Sequence, residues 1–107
     1  MQKEEVVRFL TAIGDPVRLE LLSLLFHKGR SNVGDIASNF RLSRPAISHH
    51  LKVLKEAGVV EYEKVGQEGF YWLNRSHVAE RLREIADGIE SFAPGSICNE
   101  VEHRDTG

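Results

Sequence analysis

The sequence predicts a small, mainly helical domain with one β-hairpin ahead of its last helix, and three observations carry that prediction. Helical periodicity with recognisable start and stop residues recurs four times before residue 58. The period then changes to β-branched and aromatic residues broken by glycines over 59–73. A final helical pattern follows and closes the domain.

Val6, Phe9, Leu10 and Ile13 recur at helical spacing in a first segment that ends at Gly14. Asp15 and Pro16 restart the chain as cap and first-turn residue, opening a helix over 17–27 in which Leu21, Leu22, Leu24, Leu25 and Phe26 crowd together. That density predicts the most buried helix. Residues 28–32 read as a loop, with Gly29 just past the helix and Ser31 or Asn32 placed to cap a third helix over 33–40. Its apolar stripe is Val33, Ile36, Ala37 and Phe40, and only Arg41 and Leu42 separate it from the next cap.

The fourth helix has both ends written in. Ser43 offers a hydroxyl to a free backbone N–H, Pro45 suits a first turn that needs no donor, and Gly58 suits a left-handed stop. Residues 59–65 and 70–73 then read as strands, joined through Gly66, Gln67, Glu68 and Gly69. Asn74, Arg75 and Ser76 cap a last helix running to about residue 91 or 92, with Pro94 and Gly95 as its stop. The order is α-α-α-α-β-β-α, a winged helix-turn-helix on pattern grounds, with the domain over 1–93 and a polar, loose tail over 94–107.

At about 100° per residue, Ile47, Leu51 and Leu54 share one side of the fourth helix. Pro45, Ser48, His49 and Lys52 cluster on the other, flanked by Arg44 and Lys55. From 41 to 55 the chain carries Arg41, Arg44, Lys52 and Lys55 and no acid, although the whole chain has 16 acidic and 14 basic residues. A basic island on an acidic chain points to a local anionic partner. Small side chains between longer donors let a helix approach a groove while the donors reach base edges and phosphates.

A net charge of −2 excludes a generally sticky nucleic-acid coat, so recognition rests on a focused patch. One cysteine, Cys98, rules out an intrachain disulfide, and no apolar run approaches the ~20 residues of a membrane helix. The expected location is cytoplasmic. In the last helix Val78, Leu82, Ile85, Ile89 and Phe92 step by four, three, four and three, a narrow heptad seam. With Val6 and Leu10 of the first helix it predicts a homodimer formed across a two-fold axis.

Three spaced motifs resemble the ArsR/SmtB family of bacterial winged-helix repressors. They are Gly14-Asp15-Pro16-Val17-Arg18-Leu19-Glu20-Leu21-Leu22, the whole run from Leu42 to Val60, and Phe70-Tyr71-Trp72-Leu73. The resemblance implies a homodimeric regulator of transcription that binds a palindromic operator in double-stranded DNA and, in many members, leaves it when an inducer binds. It puts Arg44, Pro45, Ser48 and His49 in the major groove, with Lys52 near phosphate. His50 lies between the core and groove faces and reads as a packed or hydrogen-bonded structural residue. Wing tips in the family often carry arginine after the glycine; Gln67 and Glu68 stand there here, leaving Lys64 as the best donor beside Gln67.

Relatives that sense soft metals use Cys-Val-Cys near the start of the third helix, where this chain has Asn32-Val33-Gly34-Asp35. Those that use the last helix need an acid, a histidine and two further ligands, and the matching positions are Arg75, His77, Gly88 and Ser91. One ligand per chain builds no tetrahedral zinc site, so neither a metal nor another cofactor is expected. His77, Glu80 and Glu84 read as a solvated face, and Cys98, Glu102 and His103 as part of the tail. Cys98 alone cannot run a two-thiol switch, and the inducer is not legible. No nucleophile elbow or phosphate loop is present, so the chain is not read as an enzyme. Gly66 to Gly69 mimics the clamp of a KH domain, but that loop joins helices. The competing reading is a winged-helix module for protein–protein contact, which the seven acids against three bases from Ser76 onward could serve.

Overall fold

A computed structural model describes residues 3–91. Its elements are α1 (Lys3–Ile13), α2 (Pro16–Lys28), β1 (Ser31–Asn32), α3 (Val33–Ala37), α4 (Arg44–Glu56), β2 (Val60–Val65), β3 (Glu68–Leu73) and α5 (Arg75–Ser91). The helices and hairpin follow the expected order, with β1 as an addition. Phe92, the Pro94 and Gly95 stop, and the tail with Cys98, Glu102 and His103 lie outside the described residues.

The core sits where α4 meets α1, α2, α3 and the sheet. Ile47, Leu51 and Leu54 are each 0% exposed, and they close on Phe9, Ala12, Leu21, Leu25, Ile36, Val59, Val60 and Tyr71. Fully burying one such aliphatic side chain contributes roughly 1.5–3 kcal/mol, so this face alone holds α4 in place. The most buried helix is therefore α4 rather than α2. In α2 only Leu21 and Leu25 are buried, and Phe26 is 51% exposed. Phe26 stands about 140° around the helix from Leu21, too far to share one core face.

Caps fix the helix starts. The Asp15 carboxylate accepts from the N–H groups of Val17 and Arg18, at 2.9 and 3.1 Å, and Ser43 Oγ accepts from Ala46 at 3.2 Å. The Asn32 side chain caps α3 through the N–H of Asp35. That helix stops at Ala37 rather than continuing to Phe40. Ser38 Oγ and Asn39 Nδ2 both donate to the carbonyl of Asp35, which leaves the backbone to finish in the tight turn that leads to α4.

The sheet has the order β1-β3-β2, antiparallel throughout, with Ser31 opposite Tyr71 and Asn32 opposite Phe70. Val65 faces Glu68, so the hairpin turn is Gly66-Gln67, tighter than the four-residue turn expected. Gly66 has φ +62° at the first central position and no described non-glycine residue has positive φ, the pattern of a II′ turn. Gly58, at φ +79°, ends α4 in a conformation that side chains disfavour, and a Cβ there would stand 2.8 Å from His77 Nε2.

Candidate nucleic-acid interface

The opposite face of α4 is solvent. Arg44, Pro45, Ser48, His49 and Lys52 are all exposed, as is Arg41 in the preceding turn, while Ile47, Leu51 and Leu54 anchor the same helix from beneath. The burial follows the sequence period closely: a two-sided helix is fixed by its apolar side and presents its cationic side. A short basic rod of this kind carries groups that hydrogen-bond to base edges and neutralise phosphates.

His50 is half-buried and hydrogen-bonded, as its place between the two faces predicts. Arg18 Nη1 donates to His50 Nδ1 at 3.1 Å. Arginine has only donors, so Nδ1 is the accepting nitrogen and the ring proton belongs on Nε2. The ring of His49 lies 5.9 Å from that of His50 and remains on the solvent face.

The wing is held at its base. Lys55 Nζ of α4 lies 5.4 Å from the centre of the Tyr62 ring, and Tyr62 in turn covers Gly69, where a Cβ would meet the ring at 2.6 Å. Strand alternation puts Lys64 on the Tyr62 side of the sheet and Glu61, Glu63 and Glu68 on the other. Each of those acids has a partner: Asn74 Nδ2 donates to Glu61 at 2.7 Å, Arg30 pairs with Glu63 at 2.7 Å, and Asn32 Nδ2 donates to Glu68 at 3.1 Å. Arg30 also lies over the rings of Phe70 and Trp72, at 4.9 and 5.0 Å. The acids are thus drawn to the outer face, and Lys64 stays on the face toward α4, with Gln67 exposed at the tip.

The seam of α5 divides. Val78 and Ile85 are half-buried against the core, whereas Leu82 is 47% and Ile89 70% exposed. On α1, Val6 is half-buried and Leu10 44% exposed, and Arg81 of α5 pairs with Glu5 of α1 at 3.5 Å. Among the described residues no three His, Cys, Asp or Glu side chains gather as a metal site requires. His77 Nε2 is buried against Gly58 without a hydrogen-bond partner, and Glu84 pairs with Arg81 at 3.0 Å, so His77, Glu80 and Glu84 do not form one cluster.

Sequence reasoning passed over Arg18 and Arg30, which bind no candidate ligand but fix the elements that would; Asn74 caps α5 as expected, accepting from the N–H of His77 at 3.2 Å, and its bond to Glu61 is the part the sequence does not announce. Strand alternation could have found the shared face of Glu61 and Glu63; no local pattern announces the reach of Arg18.

Residues 15–62 match the model of bacterial regulatory proteins of the arsR family. The transcriptional repressor SdpR of Bacillus subtilis is 48% identical over 73% of this chain and 86% of its own. The chain belongs to the ArsR family. A transcriptional repressor SmtB homolog of Synechocystis is 35% identical over 83% of this chain and 67% of its own. The crystal structure of another ArsR family transcriptional regulator superposes with a TM-score of 0.71 over 87% of this chain and 98% of that one, at 23% identity, which establishes the winged helix-turn-helix fold. This ArsR family member is a transcriptional regulator with a DNA-binding fold, not an enzyme.

Proposed function

We propose that this ArsR family protein is a cytoplasmic, homodimeric repressor that occupies a palindromic operator and blocks polymerase. The observation that carries the reading is the exposed cationic face of α4, free of acid from Arg44 to Lys55 and meeting Glu56 only at the last residue of the helix, on a chain of net charge −2 and backed by a face that is wholly buried. Arg44, Pro45, Ser48 and His49 read base edges, Lys52 meets phosphate, and Lys64 and Gln67 approach the backbone from the wing. Two copies of α4, held about 34–36 Å apart by a two-fold axis, enter successive major grooves on one side of the duplex.

The dimer forms through α1 and α5. Its seam is Val6 and Leu10 with Val78, Leu82, Ile85, Ile89 and Phe92, and support comes from α5 itself, which buries no residue within the protomer. The inducer is unassigned, because neither of the family's usual metal-ligand sets is present at 32–35 or at 75, 77, 88 and 91.

The test is binding of the purified protein to a randomised duplex pool, followed by a salt titration on the recovered sequence. A recovered palindrome whose log affinity falls with log salt at a slope near −0.9 per phosphate neutralised supports the reading. Failure to enrich any motif overturns it in favour of a module for protein–protein contact.

A further inference from the structure

The Arg18 guanidinium spans three helices. It reaches from α2 to the end of α1, where Nε donates to the carbonyl of Ala12 at 2.7 Å and Nη2 to that of Thr11 at 3.2 Å. Those carbonyls belong to the last turn of α1, which has no basic residue of its own to meet its negative end. The third arm, Nη1, goes to His50 in the middle of α4. Arg18 is also fixed at its root, because its backbone N–H donates to Asp15 Oδ2. One planar fork, anchored at both ends, therefore ties the carbonyl end of α1 to the helix that presents the cationic face.

We propose that the Arg18–His50 bracket is a positioning device for DNA recognition, setting the angle between α1 and α4 and hence the half-site spacing the dimer accepts. The inference rests on the dimeric repressor reading above. Its physical basis is leverage. Helix α4 has 13 residues and is about 20 Å long, so a tilt of about 10° swings its far end by about 3.5 Å, close to one base-pair rise. The apolar contacts of Ile47, Leu51 and Leu54 hold α4 to the core but are non-directional. A planar guanidinium with three fixed acceptors is directional, and it acts one residue away from His49 on the reading face.

Arg18 and His50 touch no DNA in this account; they act through α4. His50→Leu keeps the apolar bulk and removes the acceptor. His50→Gln restores an acceptor that Arg18 can reach. Arg18→Lys keeps the charge but cannot serve three acceptors at once. The probe is the duplex recovered by wild-type protein from a randomised pool, together with copies whose half-sites are one base pair closer or farther apart. Affinity is read by fluorescence anisotropy, with thermal unfolding and light scattering alongside.

Wild type prefers one spacing. His50→Leu and Arg18→Lys each lose about tenfold on it, lose less on the altered spacings, and so flatten the preference. The double variant is no worse than the weaker single, and His50→Gln recovers most of the loss. Variants that retain the wild-type spacing preference, or that lose affinity equally on every duplex, overturn the inference. Where His50→Leu fails to fold, Arg18→Lys with His50→Gln carries the same comparison. A wild-type protein that enriches no duplex overturns the repressor reading itself, a distinct failure.

Discussion

Helices α4 and α5 are both amphipathic, yet the chain treats their apolar sides differently. The apolar side of α4 is completed by its own chain, with Ile47, Leu51 and Leu54 all at 0% exposure. Helix α5 is longer, at 17 residues against 13, and buries none of them; Leu82 and Ile89 stay open while Val78 and Ile85 only lean on the core. In the dimeric repressor proposed above, α4 needs a rigid seat within the protomer to carry its reading face, and α5 must keep its seam uncovered for the second copy.

Substitutions on the two helices therefore fail in different ways. The largest effect is expected from Leu82→Asp. At 47% exposure the position tolerates a carboxylate in the isolated protomer, but two such charges buried across a two-fold seam would each lack a partner. Light scattering should give a monomer with a wild-type circular dichroism spectrum, and specific DNA binding should vanish with the dimer. A dimer that persists would move the interface off α5. Ile85→Asp is the poorer probe, because Ile85 also packs against the core and its loss would disturb the fold.

Leu51→Ala tests the other side of the contrast. Removing a fully buried leucine costs about 2–5 kcal/mol, from lost transfer energy and the cavity left behind. Urea unfolding should show that loss at any protein concentration. Ile89→Ala, at a site 70% exposed, should lower the midpoint mainly where dimer is populated, so its effect should grow with concentration. Equal, concentration-independent losses would erase the distinction between the helices.

Smaller effects separate the roles along the solvent face of α4. Arg44→Ala should cost about 1–3 kcal/mol on the specific duplex and relax the sequence preference, while Lys52→Ala should weaken all duplexes alike and reduce the salt slope by about one. Selection with each variant, followed by salt titration, checks both. Arg44→Ala binding its operator as wild type does would remove Arg44 from the groove.

What was legible in the sequence was whatever a local period or cap encodes. The α4 face was readable because 3.6-residue periodicity, Ser43 and Gly58 lie within one short run; the hairpin was readable from its β-branched and aromatic strands and glycines. β1 was not, because two residues carry no period and Ser31 and Asn32 become a strand only by pairing with Tyr71 and Phe70, some forty residues away. Apolar spacing extends α3 to Phe40, but Ser38 and Asn39 turn their side chains onto the carbonyl of Asp35 and the helix stops at Ala37, a choice that the spacing does not register. The Arg18 bracket was invisible for the same reason as β1: its acceptor on α4 lies 32 residues along the chain.

The smallest expected effect concerns the joint at which that bracket is rooted. The Asp15 carboxyl is held below its ordinary value of 3.8, first by the N–H of Arg18, then by the Arg18 charge and the N–H of Val17, against an opposing push from desolvation. A carboxyl that is more acidic folded than unfolded contributes stability above the unfolded value and loses it as pH falls through the folded one. Asp15→Asn keeps a good helix cap without the charge. The stability difference between wild type and Asp15→Asn should therefore be greatest near neutral pH and shrink below pH 3.8, as read from urea unfolding at a series of pH values. Because Asp15 is half-buried at the rim of the bracket rather than within the core, the difference should stay well below that of Leu51→Ala. A difference that grows on acidification would mean that the carboxylate is strained rather than satisfied by its two N–H donors, and that α2 is capped in spite of Asp15.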